Sequence, residues 1–440
     1  MALAAFAVRS GDETRQVGMV SVDDLVPADD ELRRIEALID WGHVRETARP
    51  FYRPGGAGRP GIDPAVLVKL ALVLAWRGLP SMRETLRVAR TDMSIRRFLG
   101  FGLTERLPDH STFSHAQTKR FADSSVFDQL FVAVLRQCTE AGLVGGRRLV
   151  VDGTHIEADA ALKSLRAELD LVQADGDGEH DDSAEAPARG GDGESAPGDS
   201  AESRAHLTLA EPRTGPTPKR VASNATAVSR TDPDAKLRHK PGQRKHLVHR
   251  GQVAVDPEHR VIVAVKAEAA TGSEADCLPD IVRRARFAGH AVAELAADSG
   301  YASEASYAAL DKLKTTALIP PQPGAEHAAA IAARERMRTK TGRDAAYDRQ
   351  AHAEGAIAEL KHHGAHRARC RGTRLVELQL LGAATAINLK RLLAAQDAAK
   401  RGQTSDSAAR ADDIRALTRL LLFTLCEIGH LTTTDLSTGS

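Results

Sequence analysis

Over the first 140 positions, apolar residues recur at helical spacing, and Gly, Pro, Ser and Asp punctuate them into short helices. Pro64 suits the first helical position of PAVLVKLALVLAWRG, and Gly78 suits its stop. Ser81 with Glu84 has the spacing of a capping box ahead of ETLRVAR. DMSIRRFLGF predicts another helix, and the Pro108-Asp109-His110-Ser111 stretch caps TFSHAQTKRF. Short helices with tight turns are compatible with a helix-turn-helix module and equally with a plain bundle.

At Arg147 the periodicity changes. LVV reads as an interior strand, followed by a helical patch, ALKSLRAELDLVQ. KHLVHRGQVAVDPEHRVIVAVKAEA predicts two antiparallel strands joined at Asp256-Pro257-Glu258-His259. A helix in SEADCLPDIVRRARFAG, a strand ending at Asp298, a helix in SEASYAALDKLK and the strand TALIPP follow. Residues 331–392 are helical in pattern. This order predicts an α/β fold with a mixed sheet, preceded by an all-α region.

The expected domains are a helical N-terminal domain at 1–140, either a DNA-binding module or a plain bundle on its own pattern, an α/β domain at 145–395, and a linker with a final helix at 396–440. A Gly/Ser/Ala/Pro-rich acidic insert, about 174–220, has too few apolar residues to offset chain entropy and reads as disordered.

Charge changes the picture once that insert is separated out. The whole chain carries +1, but residues 175–211 hold eleven acidic side chains against two arginines. The remainder therefore carries about +10, enough for a basic face. The four scattered cysteines form no CxxC pair, which fits a reducing cytoplasm. Neither the N-terminal apolar run nor LTRLLLFTLCEIGHL has the length or flanks of a membrane segment, so a soluble, cytoplasmic, nucleoid-associated protein is expected.

Three carboxylates stand out. Asp152 and Asp298 follow apolar strands, where side chains emerge from an α/β sheet. Converging aspartates suit Mg²⁺ or Mn²⁺, and a pair of ions suits in-line phosphoryl transfer. Taken singly, Asp152 reads as well as a turn residue before Gly153, and Asp298 as a helix N-cap. On a regular helix Tyr347, Glu354 and Lys361, spaced by seven, share one stripe, with Glu359 on another face as an ion-paired or solvated residue. Glu354 alone reads as an exposed helix residue. The densest basic clusters, 236–250 and 361–374, include Arg244, Lys245, Arg367 and Arg371. They read as phosphate contacts or as a solvated face. His155, His246, His249, His362 and His363 lack the spacing of a zinc site. With 4% aromatic residues, base stacking on single strands is disfavoured, so for a nucleic-acid partner duplex DNA is favoured over single strands.

Several motifs in order resemble one family. DGTHIEADA, SRTDPDAKLRHKPG, AADSGYAS and YDRQAHAEGAIAELK resemble the DDE transposases of bacterial insertion sequences. FYRPGGAGRPGIDPAVLVKLALV through RFLGFGLTERLPDHSTFSHA is similar to the helical region preceding the core in one branch, and RCRGTRLVELQLLGAATAINLKRL to the end of the core. The resemblance spans about residues 20–395. It implies a ribonuclease-H-like mixed sheet with helices on both faces, and Asp152, Asp298 and Glu354 as catalytic ligands of two divalent ions. Tyr347 and Lys361 match its helix signature. The signature arginine is expected four residues before the glutamate, where Gln350 stands; Arg349 is one residue earlier. The acidic insert is a second departure.

The expected activity is metal-dependent cleavage at element ends and transfer of the 3′-hydroxyl into target DNA. The partners are terminal inverted repeats and target duplex, bound by a homo-oligomer assembled on DNA. The alternatives are an inactive, domesticated DNA-binding derivative and a two-metal nuclease.

Overall fold

The computed structural model describes residues 20–52, 61–167, 224, 227–238 and 244–401. The expected acidic insert and the expected C-terminal helix both lie outside these residues, apart from the stretch up to 401.

The N-terminal part comprises α1 (Val22–Leu25), α2 (Glu31–Leu38), α3 (Trp41–Ala48), α4 (Pro64–Trp76), α5 (Met82–Ala89), α6 (Met93–Leu99), α7 (His110–Ala116) and α8 (Val126–Glu140). Side chains start most of them: Asp63 accepts from Ala65 N, Ser81 from Glu84 N and Asp109 from Ser111 N. The Ser81 box is only half made, because Glu84 is drawn to Arg87 at 2.5 Å instead of returning to the Ser81 amide. α4 is apolar on nearly every side and is buried accordingly. Its one lysine, Lys69, is 8% exposed, pairs with Glu36 at 2.5 Å and lies over the Trp41 and Phe98 rings.

The sheet comprises β1 (Arg148–Glu157), β4 (Lys236–Arg238), β5 (His246–Val255), β6 (Ile262–Ala269), β7 (Glu294–Ala296) and β8 (Thr316–Leu318). The order is β6-β5-β1-β7-β8, with β4 beside the start of β5. β5 runs antiparallel to both β1 and β6, whereas β1, β7 and β8 are mutually parallel. That arrangement is a ribonuclease-H-like mixed sheet. The short strands β2 (Leu165–Ala167) and β3 (Ala227–Ser229) pair with each other, so the chain leaves for the acidic insert and returns from it at one place.

Helices cover both faces. Val150, Ala296 and Leu318 point to one face and pack against Ala345 and Ala353 of the helices that follow β8. α9 (Leu278–Phe287) and α10 (Glu304–Lys312) cover the other. Beyond β8 come α11 (Ala328–Arg338), α12 (Lys340–Asp348), α13 (Glu354–Leu360) and α14 (residues 373–401). α14 blunts the edge strand β6. Buried Asn388 accepts from Ile262 N at 2.9 Å and donates to Ile262 O at 2.8 Å, while Glu377 accepts from Ala267 N at 3.0 Å. Its opposite side joins α2, α4 and α6 around Leu32, Val73, Trp76 and Leu389, so the N-terminal helices and the sheet share one hydrophobic core.

Candidate active site

The LVV strand does not end at Asp152. β1 continues to Glu157, paired with β5 from Val150↔Val255 to Glu157↔Val248. The Asp-Gly pair makes no hairpin, because Thr154 and Ile156 stay buried while Glu157 faces out, a strand alternation that THIE already carries. Asp152 is nevertheless at an end of another kind. The parallel pairing of β1 with β7 stops at Val150↔Ala296, so Asp152 lies two residues beyond the point where the two strands part.

Asp298 lies two residues past β7 and caps the turn Ser299–Tyr301, accepting from Gly300 N at 2.7 Å. Asp152 likewise accepts from its neighbour, Gly153 N, at 2.8 Å. Each aspartate thus has one oxygen fixed by a local amide, which sets the direction of the carboxylate. Gly153 packs closely: a Cβ there would stand 3.0 Å from the Tyr301 hydroxyl, which itself donates to Gln252 Oε1 at 2.5 Å.

Burial, then the Asp298 and Glu274 carboxylates, push the Asp152 carboxyl up; the Gly153 amide and the Arg349 guanidinium pull it back, and the net direction is upward. Glu274 was not singled out from sequence. It follows β6, which runs parallel to β1, and so reaches the same end of the sheet as Asp298. A Cβ on Gly300 would stand 2.9 Å from Asp298 Oδ1 and 3.3 Å from Glu274 Oε2, which places both carboxylates around that glycine. Beneath them, Arg250 is 7% exposed and lies 3.7 Å from both Glu274 and Glu268. No periodicity marks TGSEAD, so only the parallel run of β6 would have found Glu274.

Glu354 opens α13 on an exposed face and makes no hydrogen bond or ion pair with a described residue. Among the described residues no three His, Cys, Asp or Glu side chains gather closely enough to enclose a metal ion, and the histidines do not cluster. The donor chemistry still fits Mg²⁺, which keeps several waters and takes one or two carboxylates together with substrate phosphates. Glu359, on the other face, pairs with Arg391.

The helix preceding Glu354 is irregular. Arg349–Ala353 form a π-turn between α12 and α13. Such a turn takes in one extra residue, worth about 100° of rotation. The expected stripe is therefore broken between Tyr347 and Glu354, and Tyr347 is 69% exposed. It persists from Glu354 to Lys361 along α13. The same insertion sets Arg349 one wide turn before Glu354, and its guanidinium stands 3.8 Å from Asp152 Oδ2. The one-residue displacement noted in the sequence is absorbed by the backbone.

Arg244, Lys245, Arg367 and Arg371 line a single cleft of about 560 Å³ at the far end of β1. The TDPDA motif builds it. Buried Asp232 bonds His249 Nε2 at 2.8 Å and accepts from Gly372 N at 3.2 Å, while Asp234 accepts from Thr373 N and Oγ1. Glu157 completes the clamp by pairing with the backbone at His366 and Ala368. The cleft lies roughly 17 Å from Asp152 along β1.

A ribonuclease-H-like sheet with aspartates on or just past adjacent parallel strands and a basic cleft at one end defines a nucleic-acid-processing fold class. Residues 20–119 match the family model Transposase domain (DUF772), and residues 205–389 match Transposase DDE domain. No solved structure matches the chain. The chain belongs to the DDE transposases of insertion sequences. Its family acts on DNA and works with divalent metal ions. The DDE match includes Asp298 and Glu354 but begins after Asp152, which β1 brings to Asp298 across the acidic insert. No helix among the described residues is long and apolar enough to cross a membrane.

Proposed function

We propose that the chain cleaves DNA at the ends of its element and joins the freed 3′-hydroxyl to target DNA, with Asp152, Asp298 and Glu354 as the catalytic carboxylates. The observation that carries this reading is the placement of Asp152 on β1 and of Asp298 just past the neighbouring parallel strand β7, at one end of the sheet. Asp152 and Asp298 supply fixed oxygen donors, and Glu354 supplies a third from the first turn of α13. Two Mg²⁺ or Mn²⁺ ions held there would supply Lewis-acid activation of the attacking oxygen and neutralise charge on the phosphate.

The remaining groups bind and orient. Arg349 holds the Asp152 carboxylate in the absence of a cation and turns to a phosphate oxygen when the carboxylate is engaged. Lys361, seven residues beyond Glu354 on the same face, and exposed Tyr347 flank the reacting strand. Arg244, Lys245, Arg367 and Arg371 grip the duplex backbone about five base pairs away. The domain division that supports this reading is a helical DNA-binding region at 1–140 and a catalytic region at 145–395, acting as a homo-oligomer assembled on terminal inverted repeats and target DNA. The test is end cleavage in Mg²⁺ or Mn²⁺ by wild type and by Asp152→Ala, Asp298→Ala and Glu354→Ala. Cleavage lost in all three supports the reading, and cleavage unchanged in them refutes it. Nicked ends without joined products would point to a hydrolytic nuclease, and DNA binding without either product to a non-catalytic derivative.

A further inference from the structure

A cleft of about 1000 Å³ opens among the N-terminal helices, between α5, the loop at 100–109 and α7. Arg83 of α5, Arg90 at its C-terminal cap and Arg106 of the loop line it, and all three are exposed. None of them has a hydrogen bond or ion pair with a described residue. Two further arginines build the cleft. Arg96, 4% exposed, donates to the carbonyls of Gly102 and Glu105 and holds the loop in place. Arg120 stacks on the Tyr52 ring at 4.3 Å. The acids nearby are engaged locally: Glu105 accepts from Gly102 N at 3.1 Å, and Asp109 accepts from Ser111 N at 2.9 Å. Among the described residues, no acid neutralises the side chains of Arg83, Arg90 and Arg106.

Arg369 links this cleft to the basic cleft of the sheet. It belongs to the Arg367–Arg371 stretch, yet its guanidinium donates to Leu79 O at 2.9 Å and to Pro80 O at 3.3 Å, in the turn that leads into α5. It passes against Gly364, whose φ of +93° and missing Cβ leave it room. Arg369 lines a smaller pocket that shares Arg83 and His110 with the α5–α7 cleft, and its neighbours Arg367 and Arg371 line the cleft of the sheet.

We infer that the α5–α7 cleft is a second DNA-backbone site, continuous with the Arg244/Lys245/Arg367/Arg371 cleft, so that one duplex spans both. The inference rests on the proposed reading that the chain acts on duplex DNA. Arg83 and Arg90 lie about 10 Å apart along α5, the rise of about three base pairs on one strand. Three exposed guanidiniums at backbone spacing make this a phosphate-positioning contact.

The test uses the full chain and a duplex copied from the DNA flanking its reading frame, with an unrelated duplex alongside. Affinity is measured by fluorescence anisotropy against salt, together with a hydroxyl-radical footprint. Arg83→Ala/Arg90→Ala/Arg106→Ala should lower the salt slope by about 3 and weaken binding about tenfold or more at 0.1 M salt. It should also shorten the footprint at one end with no change in melting temperature. Unchanged slope and footprint in this variant, with binding lost in Arg244→Ala/Lys245→Ala/Arg367→Ala/Arg371→Ala, would overturn the inference and leave the DNA-processing reading standing. No binding by wild type would overturn both.

Discussion

Arg349 stands 3.8 Å from Asp152, and it reaches that carboxylate because the helix between Arg349 and Glu354 takes a π-turn. Its positive charge beside the Asp152 carboxylate would compete with that of a cation held there. Replacing it should therefore have opposite effects on two readouts. Arg349→Met should strengthen Mn²⁺ binding severalfold, because a competing cation is gone, while end cleavage falls roughly 10–100-fold as the phosphate loses a bidentate donor. Mn²⁺ titration and single-turnover cleavage on one preparation check this. Parallel losses in both would show Arg349 to be merely structural.

The raised Asp152 carboxyl has a pH consequence. A folded value above the unfolded one means that the folded state holds the proton longer, so the group's contribution to stability is present at low pH and lost as pH rises through the folded value. Without metal, Asp152→Asn should therefore melt above wild type at pH 8 and alongside it near pH 4. Mn²⁺ should close the gap at pH 8 by stabilising wild type alone. Thermal melts across pH, with and without Mn²⁺, are the measurement; a variant that is less stable at pH 8 would contradict the raised value.

Glu274 shares Gly300 with Asp298 and helps to raise Asp152. Glu274→Gln should weaken Mn²⁺ binding roughly tenfold, the size of effect that supporting residues have on a metal site. Circular dichroism should be unchanged, and Glu274→Asp should restore part of the affinity. Wild-type affinity in the glutamine variant would remove Glu274 from the site.

Asp232 is buried with His249 at 2.8 Å. Burial alone would raise its carboxyl, but the His249 hydrogen bond and charge, with the Gly372 and Ala235 amides, hold it below the ordinary range. Its contribution to stability is therefore present above the unfolded value and is lost as pH falls through the folded one. Asp232→Ala should cost about 3–5 kcal/mol at neutral pH by leaving a buried partner uncompensated. It should also flatten the acid limb of the stability curve and loosen DNA binding through Arg367 and Arg371. Urea melts from pH 3 to 8 decide it; an unchanged acid limb would exclude the Asp232–His249 pair as its source.

Much of this was legible in the chain itself. The helices at α4 and α6 and the β5–β6 hairpin follow from local periodicity and caps, and Asp298 stands just past its strand as a cap, as its neighbours in sequence predict. Three features were not legible, each for a physical reason. β1 runs past Asp152 because pairing with β5, a partner nearly a hundred residues away, overrides the Asp-Gly turn signal. The π-turn leaves no mark in a seven-residue spacing, which is why Tyr347 was expected on the Glu354 stripe and Arg349 looked displaced. Glu274 lies in a loop with no period, and only the parallel run of β6 with β1 brings it to Asp152.

The central claim is that the carboxylates at the parting of β1 and β7, with Glu354, carry out strand transfer. Its most direct measurement is joining of a pre-cleaved 3′-hydroxyl end to plasmid DNA in Mn²⁺, which bypasses end cleavage. The account predicts joined products from wild type, and a loss of at least about a thousandfold in Asp152→Asn, Asp298→Asn and Glu354→Gln with duplex binding intact. Joining at the wild-type rate by any one of these three would contradict it.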